Sequence, residues 1–162
     1  MAPSICIRQR PRPGDIGEIA RLHGVVYSGE YHYGIAFEAY VAQGLAEFFH
    51  LYDAVRDRVW LYEDEGRIVA TLFLMHRDDQ AQLRYFLTLP EYRGAGIGKD
   101  LMTRYMKALE ECNYKHSFLW TTSELKAAAS LYTRHGFLLT EERPSSRFGK
   151  ALVEQKYEWN AS

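Results

Sequence analysis

The sequence contains few cysteines and no long apolar runs. Only Cys6 and Cys112 occur in 162 residues, and their spacing is not that of a zinc site, so we expect reduced, packed thiols rather than a disulfide. Apolar runs such as residues 68–75 are far shorter than the roughly 20 residues needed to span a bilayer. The N-terminal residues lack the charged and apolar regions of a secretion signal. We therefore expect a cytoplasmic protein with no membrane segment.

An excess of charge of one sign is also missing. The chain has 20 Lys and Arg against 21 Asp and Glu, for a formal net charge of −1. This balance provides no electrostatic reason to expect nucleic acid or an anionic membrane as a partner. A hydrophobic fraction of 47%, with 14% aromatic residues, is typical of a globular protein. The length predicts a single domain spanning residues 1–162.

What the sequence does contain is a glycine-rich turn in residues 87–99, LTLPEYRGAGIGK. An apolar run ends at Pro90, and helical periodicity begins after the glycines, so the stretch predicts a strand, a turn and the start of a helix. Gly94, Gly96 and Gly98 leave backbone N–H groups unshielded at the positive end of that helix. Such a turn is typical of a phosphate or pyrophosphate site.

Two better-known phosphate motifs do not fit this turn. The P-loop spacing G-x-x-x-x-G-K-[ST] puts Arg93 at its first glycine and Asp100 at its hydroxyl residue. The dinucleotide motif G-x-G-x-x-G lacks its third glycine whether it starts at Gly94 or at Gly96. What remains is R-x-x-G-x-G over residues 93–98, which resembles the acetyl-CoA-binding motif of GNAT-type N-acetyltransferases.

Apolar periodicity and turn residues divide the chain into alternating elements. Strands are predicted at residues 5–8, 58–62, 67–75, 82–89, 117–121, 137–140 and 151–159, and helices at residues 15–27, 37–52, 97–113 and 124–135. Capping boxes are predicted for Asp15 with Glu18 and for Thr121 with Glu124. The fifth strand follows a helix and is expected to pair parallel to the fourth. Residues 28–35, rich in turn-forming and aromatic residues, are a candidate substrate lip.

A second motif strengthens the resemblance. Residues 128–137, AASLYTRHGF, resemble the family's A-x-x-L-Y-x-x-x-G-F ending of the fourth helix. With the element order, this implies an α/β (α+β) GNAT fold: a central mixed, mostly antiparallel twisted sheet of six to seven strands, flanked by four helices, with strands four and five splayed. Leu125 departs from the pattern, because many family members have an Asn there that contacts the cofactor.

A finer resemblance concerns three other segments. Residues 27–37, 119–121 and 148–158 look like GNAT domains that are fused behind MarR-type DNA-binding regulators. No winged-helix half precedes the domain in this sequence, so we expect a free-standing relative and no DNA-binding role.

The resemblance implies acetyl-CoA as acyl donor and no metal. The pantetheine arm would pair with the fourth strand, and the pyrophosphate would lie on the turn. The implied cofactor-binding residues are Leu87, Thr88, Leu89, Arg93, Gly94, Ala95, Gly96, Ile97, Gly98, Lys99 and Ala128. Tyr132 is implied as the general acid, because a phenol of pKa about 10 in contact with a thiolate can protonate it. The oxyanion would accept a hydrogen bond from an N–H group around Leu87.

The acceptor and the general base are left open by the sequence. Glu30, Glu47 and Glu91 are candidates for the base, each with a surface carboxylate as the simpler interpretation. The regions that wall the acceptor site in GNAT proteins supply Tyr27, Tyr31, Tyr33, Tyr40, Trp120 and Phe148. Such aromatic walls suit a small amine or amino acid.

The predicted function is therefore an acetyl-CoA-dependent N-acetyltransferase that acts on a primary amine of a small molecule by direct transfer in a ternary complex. The alternatives are a non-catalytic acyl-CoA-binding sensor or interaction module, and an O-acyltransferase or protein-acetylating enzyme. We expect a small-molecule amine as partner and neither nucleic acid nor membrane. The sequence is also compatible with a homodimer.

Overall fold

The computed structural model describes residues 4–162. Residues 1–3 lie outside this range; they belong to the N-terminal stretch that was predicted to lack a secretion signal. The strands are β1 (Ile5–Arg8), β2 (Arg58–Asp64), β3 (Arg67–Arg77), β4 (Gln80–Thr88), β5 (His116–Thr122), β6 (Leu138–Ser145) and β7 (Leu152–Asn160). The helices are α1 (Asp15–Tyr31), α2 (Ile35–His50), α3 (Ile97–Glu111) and α4 (Lys126–Arg134), with a 3-10 turn at Pro90–Tyr92. The predicted fold class is confirmed.

The seven strands form one mixed sheet in the order β1-β2-β3-β4-β5-β7-β6. Neighbouring strands are antiparallel except β4 and β5, which pair in parallel after the α3 crossover. Strand β3 lies inside the sheet and contacts both α1 and α3. Its residues 68–75 are all buried, as the uninterrupted apolar run predicts for a strand covered on both faces.

Strands β4 and β5 separate soon after they meet. Their parallel pairing joins Ala81 to Ser117 and Gln82 to Phe118. Beyond Gln82 the two strands part, so the remainder of β4 borders a gap in the sheet. The predicted splay of the fourth and fifth strands is therefore present.

A β-bulge in β4 lies beside this gap. The register with β3 shifts between Thr71 and Phe73, and Tyr85 adopts the left-handed region at φ 56°, which a non-glycine residue rarely occupies. The buried Thr71 hydroxyl donates a hydrogen bond to the Tyr85 carbonyl at 2.5 Å. The bulge bends β4 away from regular pairing, and this local backbone shape was not predicted from the sequence.

The predicted capping box at the start of α1 is wrong. Gly14 is the N-cap at φ 98°, and Asp15 is the first helical residue. The Asp15 carboxylate instead accepts two hydrogen bonds from the Arg8 guanidinium, at 2.9 and 2.8 Å. The Glu18 carboxylate accepts the backbone N–H of Ile68 at 3.2 Å. Both side chains therefore bind groups on strands outside α1.

The capping box predicted for α4 is also wrong. Leu125 is the N-cap of this helix, whereas Thr121 pairs with Gln155 in the sheet. The Glu124 carboxylate accepts a hydrogen bond from Lys150 Nζ at 2.8 Å. This ion pair ties the start of α4 to the loop before β7.

The proposed lip begins as helix rather than as turn. Residues 28–31 form the last turn of α1, which ends where His32 adopts the left-handed region at φ 62°. Tyr33 follows and is buried. Within residues 4–162, no helix is long and apolar enough to cross a membrane.

Candidate active site

Two adjoining cavities lie where β4 and β5 part. The first, which we call the turn cleft, has a volume of about 380 Å³ and is bordered by the glycine turn, the end of α1 and the side of α4. The second, the aromatic cavity, has a volume of about 110 Å³ and is enclosed by α1, α2, β4, β5 and the β7 region. Tyr27, Phe86 and Leu125 line both. These shared residues mark the junction between the two cavities.

Most of the predicted cofactor-binding residues come together in the turn cleft. Its lining includes Leu87, Thr88, Arg93, Gly94, Gly96, Ile97, Gly98, Lys99 and Ala128. The other two, Leu89 and Ala95, are not part of the lining found within residues 4–162. Leu89 is buried and donates its N–H to the Val69 carbonyl at 2.9 Å, so its amide is already used inside the sheet.

The glycine turn presents open backbone N–H groups to this cleft. Gly94 and Gly96 adopt left-handed conformations, at φ 81° and 85°, and Gly96 is the N-cap of α3. Within the described part of the chain, the N–H groups of residues 94–99 donate no hydrogen bond to another protein atom, and the first helical bond runs from Asp100 N–H to the Gly96 carbonyl. Open amides at the positive end of a helix bind anions.

Arg93 differs from the other turn residues. Its N–H donates to the Pro90 carbonyl at 3.2 Å, so this amide is not open to a pyrophosphate in this geometry. Its guanidinium pairs with both carboxylate oxygens of Glu30, and its Nε donates to the Thr88 carbonyl at 3.0 Å. Arg93 therefore spans the wall of the turn cleft between α1 and β4.

Tyr132 lines the aromatic cavity and is 5% exposed. Its ring packs against Phe86, which lines both cavities, and against Phe137 and Tyr157, with centroids 6.0 to 6.2 Å away. Burial raises the pKa of its phenol well above the usual value, and the neighbouring tyrosines add to the shift. Tyr132 therefore carries its proton at physiological pH.

Aromatic side chains form the walls of the second cavity. Of the six residues predicted for the acceptor site, five line it: Tyr27, Tyr33, Tyr40, Trp120 and Phe148. The sixth, Tyr31, lines the turn cleft instead. Tyr33 and Phe148 stack at 5.6 Å, and Tyr40 lies 5.3 Å from Phe148. These contacts join α2 and its N-terminal loop to the loop before β7 and close one side of the cavity.

Polar groups in the aromatic cavity were not identified from the sequence. Its lining includes His23 and Glu154, each 3% exposed. The Glu154 carboxylate accepts a hydrogen bond from Arg147 at 2.6 Å. His23 Nδ1 donates to the Ile19 carbonyl at 2.9 Å, whereas its Nε2 is buried without a partner among residues 4–162. Burial lowers the pKa of His23 to about 4, so the ring is neutral at pH 7.

Comparison with known proteins decides the family. Residues 28–137 match the sequence model of the family described as Acetyltransferase (GNAT) family. This chain belongs to the GNAT family. The family uses acetyl-CoA, and the open amides at the glycine turn, with Lys99 beside them, fit the pyrophosphate of that molecule.

Curated relatives match part of the chain. The protein named Uncharacterized N-acetyltransferase YjgM, of Escherichia coli (strain K12), is 31% identical over 97 residues, which are 57% of this chain and 58% of the relative. N-alpha-acetyltransferase MAK3 of Arabidopsis thaliana is 28% identical over 123 residues, 69% of this chain and 64% of the relative. The matches therefore span 58% and 64% of the lengths of these relatives.

Solved structures match the GNAT fold over nearly the whole chain. A GNAT acetyltransferase from Staphylococcus aureus Mu50 has a TM-score of 0.76 at 20% identity, covering 98% of this chain and 99% of that one. A GNAT acetyltransferase from Elizabethkingia anophelis with acetyl-CoA bound has a TM-score of 0.64 at 14% identity, covering 99% and 100%. At these identities the likeness describes the fold.

The three carboxylates considered as general bases are not part of the aromatic cavity's lining, as far as residues 4–162 show. Glu30 lines the turn cleft, and the guanidinium of Arg93 lowers its pKa. Glu47 pairs with Arg77 at 2.7 Å, and Glu91 is exposed in the 3-10 turn. Within residues 4–162, none of the three lines the aromatic cavity, and no group of three or more His, Cys, Asp or Glu is arranged to hold a metal ion.

Proposed function

We propose that this GNAT protein is an acetyl-CoA-dependent N-acetyltransferase that acts on a primary amine of a small molecule, by direct transfer in a ternary complex. The observation that carries the proposal is the position of Tyr132, whose ring lines the aromatic cavity and packs against Phe86 at the junction with the turn cleft. A donor held in the cleft and an acceptor held in the cavity would meet at that junction.

Each part of the site has a distinct role in this proposal. The amides of residues 94–99 hold the pyrophosphate, while β4 beside Leu87 binds the pantetheine arm and offers an N–H group to the developing oxyanion. Acetyl-CoA supplies an activated thioester. As the amine nitrogen bonds to the acetyl carbon and the carbon–sulfur bond breaks, Tyr132 donates its proton to the departing sulfur. The nitrogen gives up one proton to solvent and Tyr132 regains one from solvent, so that the products are the amide and the thiol of CoA with the phenol restored.

Burial of Tyr132 defines its role in this reaction. Its raised pKa makes the phenol a weaker acid than free tyrosine, so proton transfer depends on contact with the sulfur rather than on acidity. Desolvation in the same cavity raises the proton affinity of the thiolate as well. A hydrogen bond to the sulfur therefore contributes most when the carbon–sulfur bond is nearly broken.

The deciding experiment measures CoA release and acetyl-CoA binding together. Thiol release is measured with a panel of small amines, one alcohol and one peptide that has a free amino terminus. CoA binding is measured by calorimetry. Tyr132→Phe should lower kcat by roughly 100-fold or more with CoA affinity unchanged. Tyr52→Phe is the matched control, since Tyr52 is an exposed tyrosine that follows α2.

The outcomes separate the competing functions. Tight CoA binding with no turnover for any acceptor would favour the sensor or interaction module and end the proposal. Turnover of the alcohol alone would favour an O-acyltransferase, and turnover of the peptide alone would favour a protein-acetylating enzyme. The peptide is included because one relative is named N-alpha-acetyltransferase MAK3. Full activity of Tyr132→Phe would remove the general-acid role.

The remaining expectations stay proposals. We propose a cytoplasmic location, no nucleic-acid or membrane partner, and a chain that can form a homodimer. The likeness of residues 27–37, 119–121 and 148–158 to GNAT domains fused to MarR-type regulators stays a prediction about ancestry.

A further inference from the structure

Arg84 is a charged residue that lines the aromatic cavity. It lies on β4 and is half-buried. Its guanidinium carbon lies 4.8 Å from the ring centre of Tyr85 and 5.7 Å from that of Tyr40. Within residues 4–162, Arg84 forms neither a salt bridge nor a side-chain hydrogen bond. Two aromatic rings therefore hold a positive charge whose donors are free.

The other charged side chains around this cavity each have a partner of opposite charge. Arg147 and Glu154 pair at 2.6 Å, and Arg143 lies 4.0 Å from the same carboxylate. Glu47, one turn beyond Gly44 on α2, is engaged by Arg77. His23 is neutral at pH 7 for the reason given above. Among residues 4–162, the charged side chain of this lining that remains without a counter-ion is Arg84, so the cavity favours an anion.

A second polar group points to a ligand at the same place. Tyr85 is 8% exposed, and its hydroxyl is buried without a partner among residues 4–162. A Cβ added to Gly44 would collide with both the Tyr85 hydroxyl and Arg84 Nη2, so these two donors lie close together above α2. A buried hydroxyl without a partner costs stability, and a bound acceptor atom would remove that cost.

We propose that the acceptor is a small amino acid whose carboxylate binds at Arg84 and Tyr85, with its amino group directed to Tyr132; this rests on the proposed function. A guanidinium presents paired donors that match a carboxylate, and such charge-assisted bonds are strong where water is excluded. The aromatic walls take the side chain. The neutral amino nitrogen bonds to the acetyl carbon as the carbon–sulfur bond breaks. Tyr132 gives its proton to the sulfur, so that CoA leaves as its thiol, and regains a proton from solvent, to which the nitrogen loses one of its own.

The experiment compares acceptors that differ at the carboxylate. Leucine, leucinamide and 3-methylbutylamine form one set, and alanine and phenylalanine are treated in the same way. For each, kcat/KM is measured at saturating acetyl-CoA. The unmodified protein should prefer the free acid over its amide and its amine by at least about 10-fold, the size expected for one charge-assisted hydrogen bond.

Variants at position 84 test whether the guanidinium causes the preference. Arg84→Gln should lower kcat/KM for the acids by about 10- to 100-fold, mainly through KM, and change the amides and amines by less than about 3-fold. Arg84→Lys keeps the charge and should retain part of the preference. Arg21→Gln, an exposed arginine on α1, should match the unmodified protein.

Each result bears on the inference. Equal kcat/KM for acid, amide and amine, or an equal loss for all three in Arg84→Gln with an unchanged melting temperature, would overturn it. Good turnover of amines with none of amino acids would overturn it while leaving the N-acetyltransferase proposal intact. If CoA binds but no acceptor turns over, calorimetry with leucine and leucinamide decides. Binding of leucine that is abolished by Arg84→Gln supports the anion site, and no binding of leucine refutes it.

Discussion

The guanidinium of Arg93 forms a two-pronged ion pair with the carboxylate of Glu30, at 2.7 and 2.6 Å. Arg93 also donates to the carbonyl of Thr88. The pair therefore joins the last turn of α1 to the glycine turn and to β4. Both side chains line the cleft to which we assign the anionic cofactor, so their charges act on its affinity in opposite directions.

Removal of either charge should change CoA affinity, and the two changes should have opposite signs. Glu30→Gln removes a negative charge from the cleft wall and should tighten CoA binding by roughly 2- to 5-fold, whereas Arg93→Gln should weaken it by roughly 3- to 10-fold. Calorimetry at low and high salt provides the measurement, since screening should shrink both effects. Equal weakening by both variants would mean that the pair acts through the shape of the turn instead.

The left-handed conformation of Gly96 should matter to both stability and binding. An added Cβ meets no atom within 4 Å there, so Gly96→Ala is penalised through its backbone alone, by about 1–2 kcal/mol. We expect that loss in urea unfolding together with weaker CoA binding. Gly66→Ala in the β2–β3 hairpin, at φ 79° and equally open, should lose similar stability and keep CoA affinity. Unchanged CoA affinity in Gly96→Ala would argue against the turn as the pyrophosphate site.

The Thr71 hydroxyl should maintain the bulge that opens the sheet. Thr71→Val keeps the shape of the side chain but leaves the Tyr85 carbonyl without its 2.5 Å hydrogen bond. We expect a loss of about 1–3 kcal/mol in the free energy of unfolding and lower kcat for whichever acceptor is turned over. Thr103→Val, where an exposed hydroxyl bonds to the Lys99 carbonyl, is the control and should change both quantities little. Normal stability in Thr71→Val would exclude this role.

Buried His23 should make the protein sensitive to mild acid. Its pKa is lowered by burial to about 4, against about 6.5 in an unfolded chain. Below pH 6.5 the unfolded state therefore binds a proton that the folded state does not. The stability provided by the neutral ring is complete above pH 6.5 and is lost as the pH falls towards 4, with about 2 kcal/mol gone between pH 7.5 and 5.

Urea unfolding of His23→Gln at both pH values checks this expectation. The variant should lose less stability on acidification than the unmodified protein by about the same 2 kcal/mol. His50→Gln, at an exposed position near the end of α2, should retain the full pH dependence. If His23→Gln and the unmodified protein show the same slope, other groups cause the acid sensitivity.

Several features of the fold were accessible from local sequence. The apolar run over residues 68–75 predicted a strand inside the sheet, and the alternation of strands and helices predicted the element order. The glycine turn was recognised because its residues are adjacent in the chain and a left-handed backbone needs glycine at Gly94 and Gly96. The helix motif indicated Tyr132, whose ring lines the aromatic cavity, and its role as general acid stays a prediction.

Local pattern was misleading where distant groups competed for the same side chain. Asp15 and Glu124 have the spacing of capping residues, yet the first binds Arg8 from β1 and the second binds Lys150 from the loop before β7. In each case a charged partner outside the helix outcompetes the backbone N–H groups of the helix's own first turn, which water can also satisfy. The turn-like composition of residues 28–31 was likewise overridden, because α1 continues until His32 adopts a left-handed conformation.

The acyl donor could be predicted from motifs whose residues are close together in the sequence. The charge and burial of the acceptor cavity depend on how distant segments pack. The residues of the glycine turn and of the helix motif are separated by only a few positions, so their spacing can be read directly from the sequence. Whether Arg84 has a counter-ion depends on which carboxylates the fold brings beside it, and Glu154, which lines the same cavity, is paired with Arg147. Whether His23 is neutral depends on how deeply α1 is covered. Charge balance and burial are properties of contacts between distant segments, so only the folded arrangement of β4, α1 and α2 could decide them.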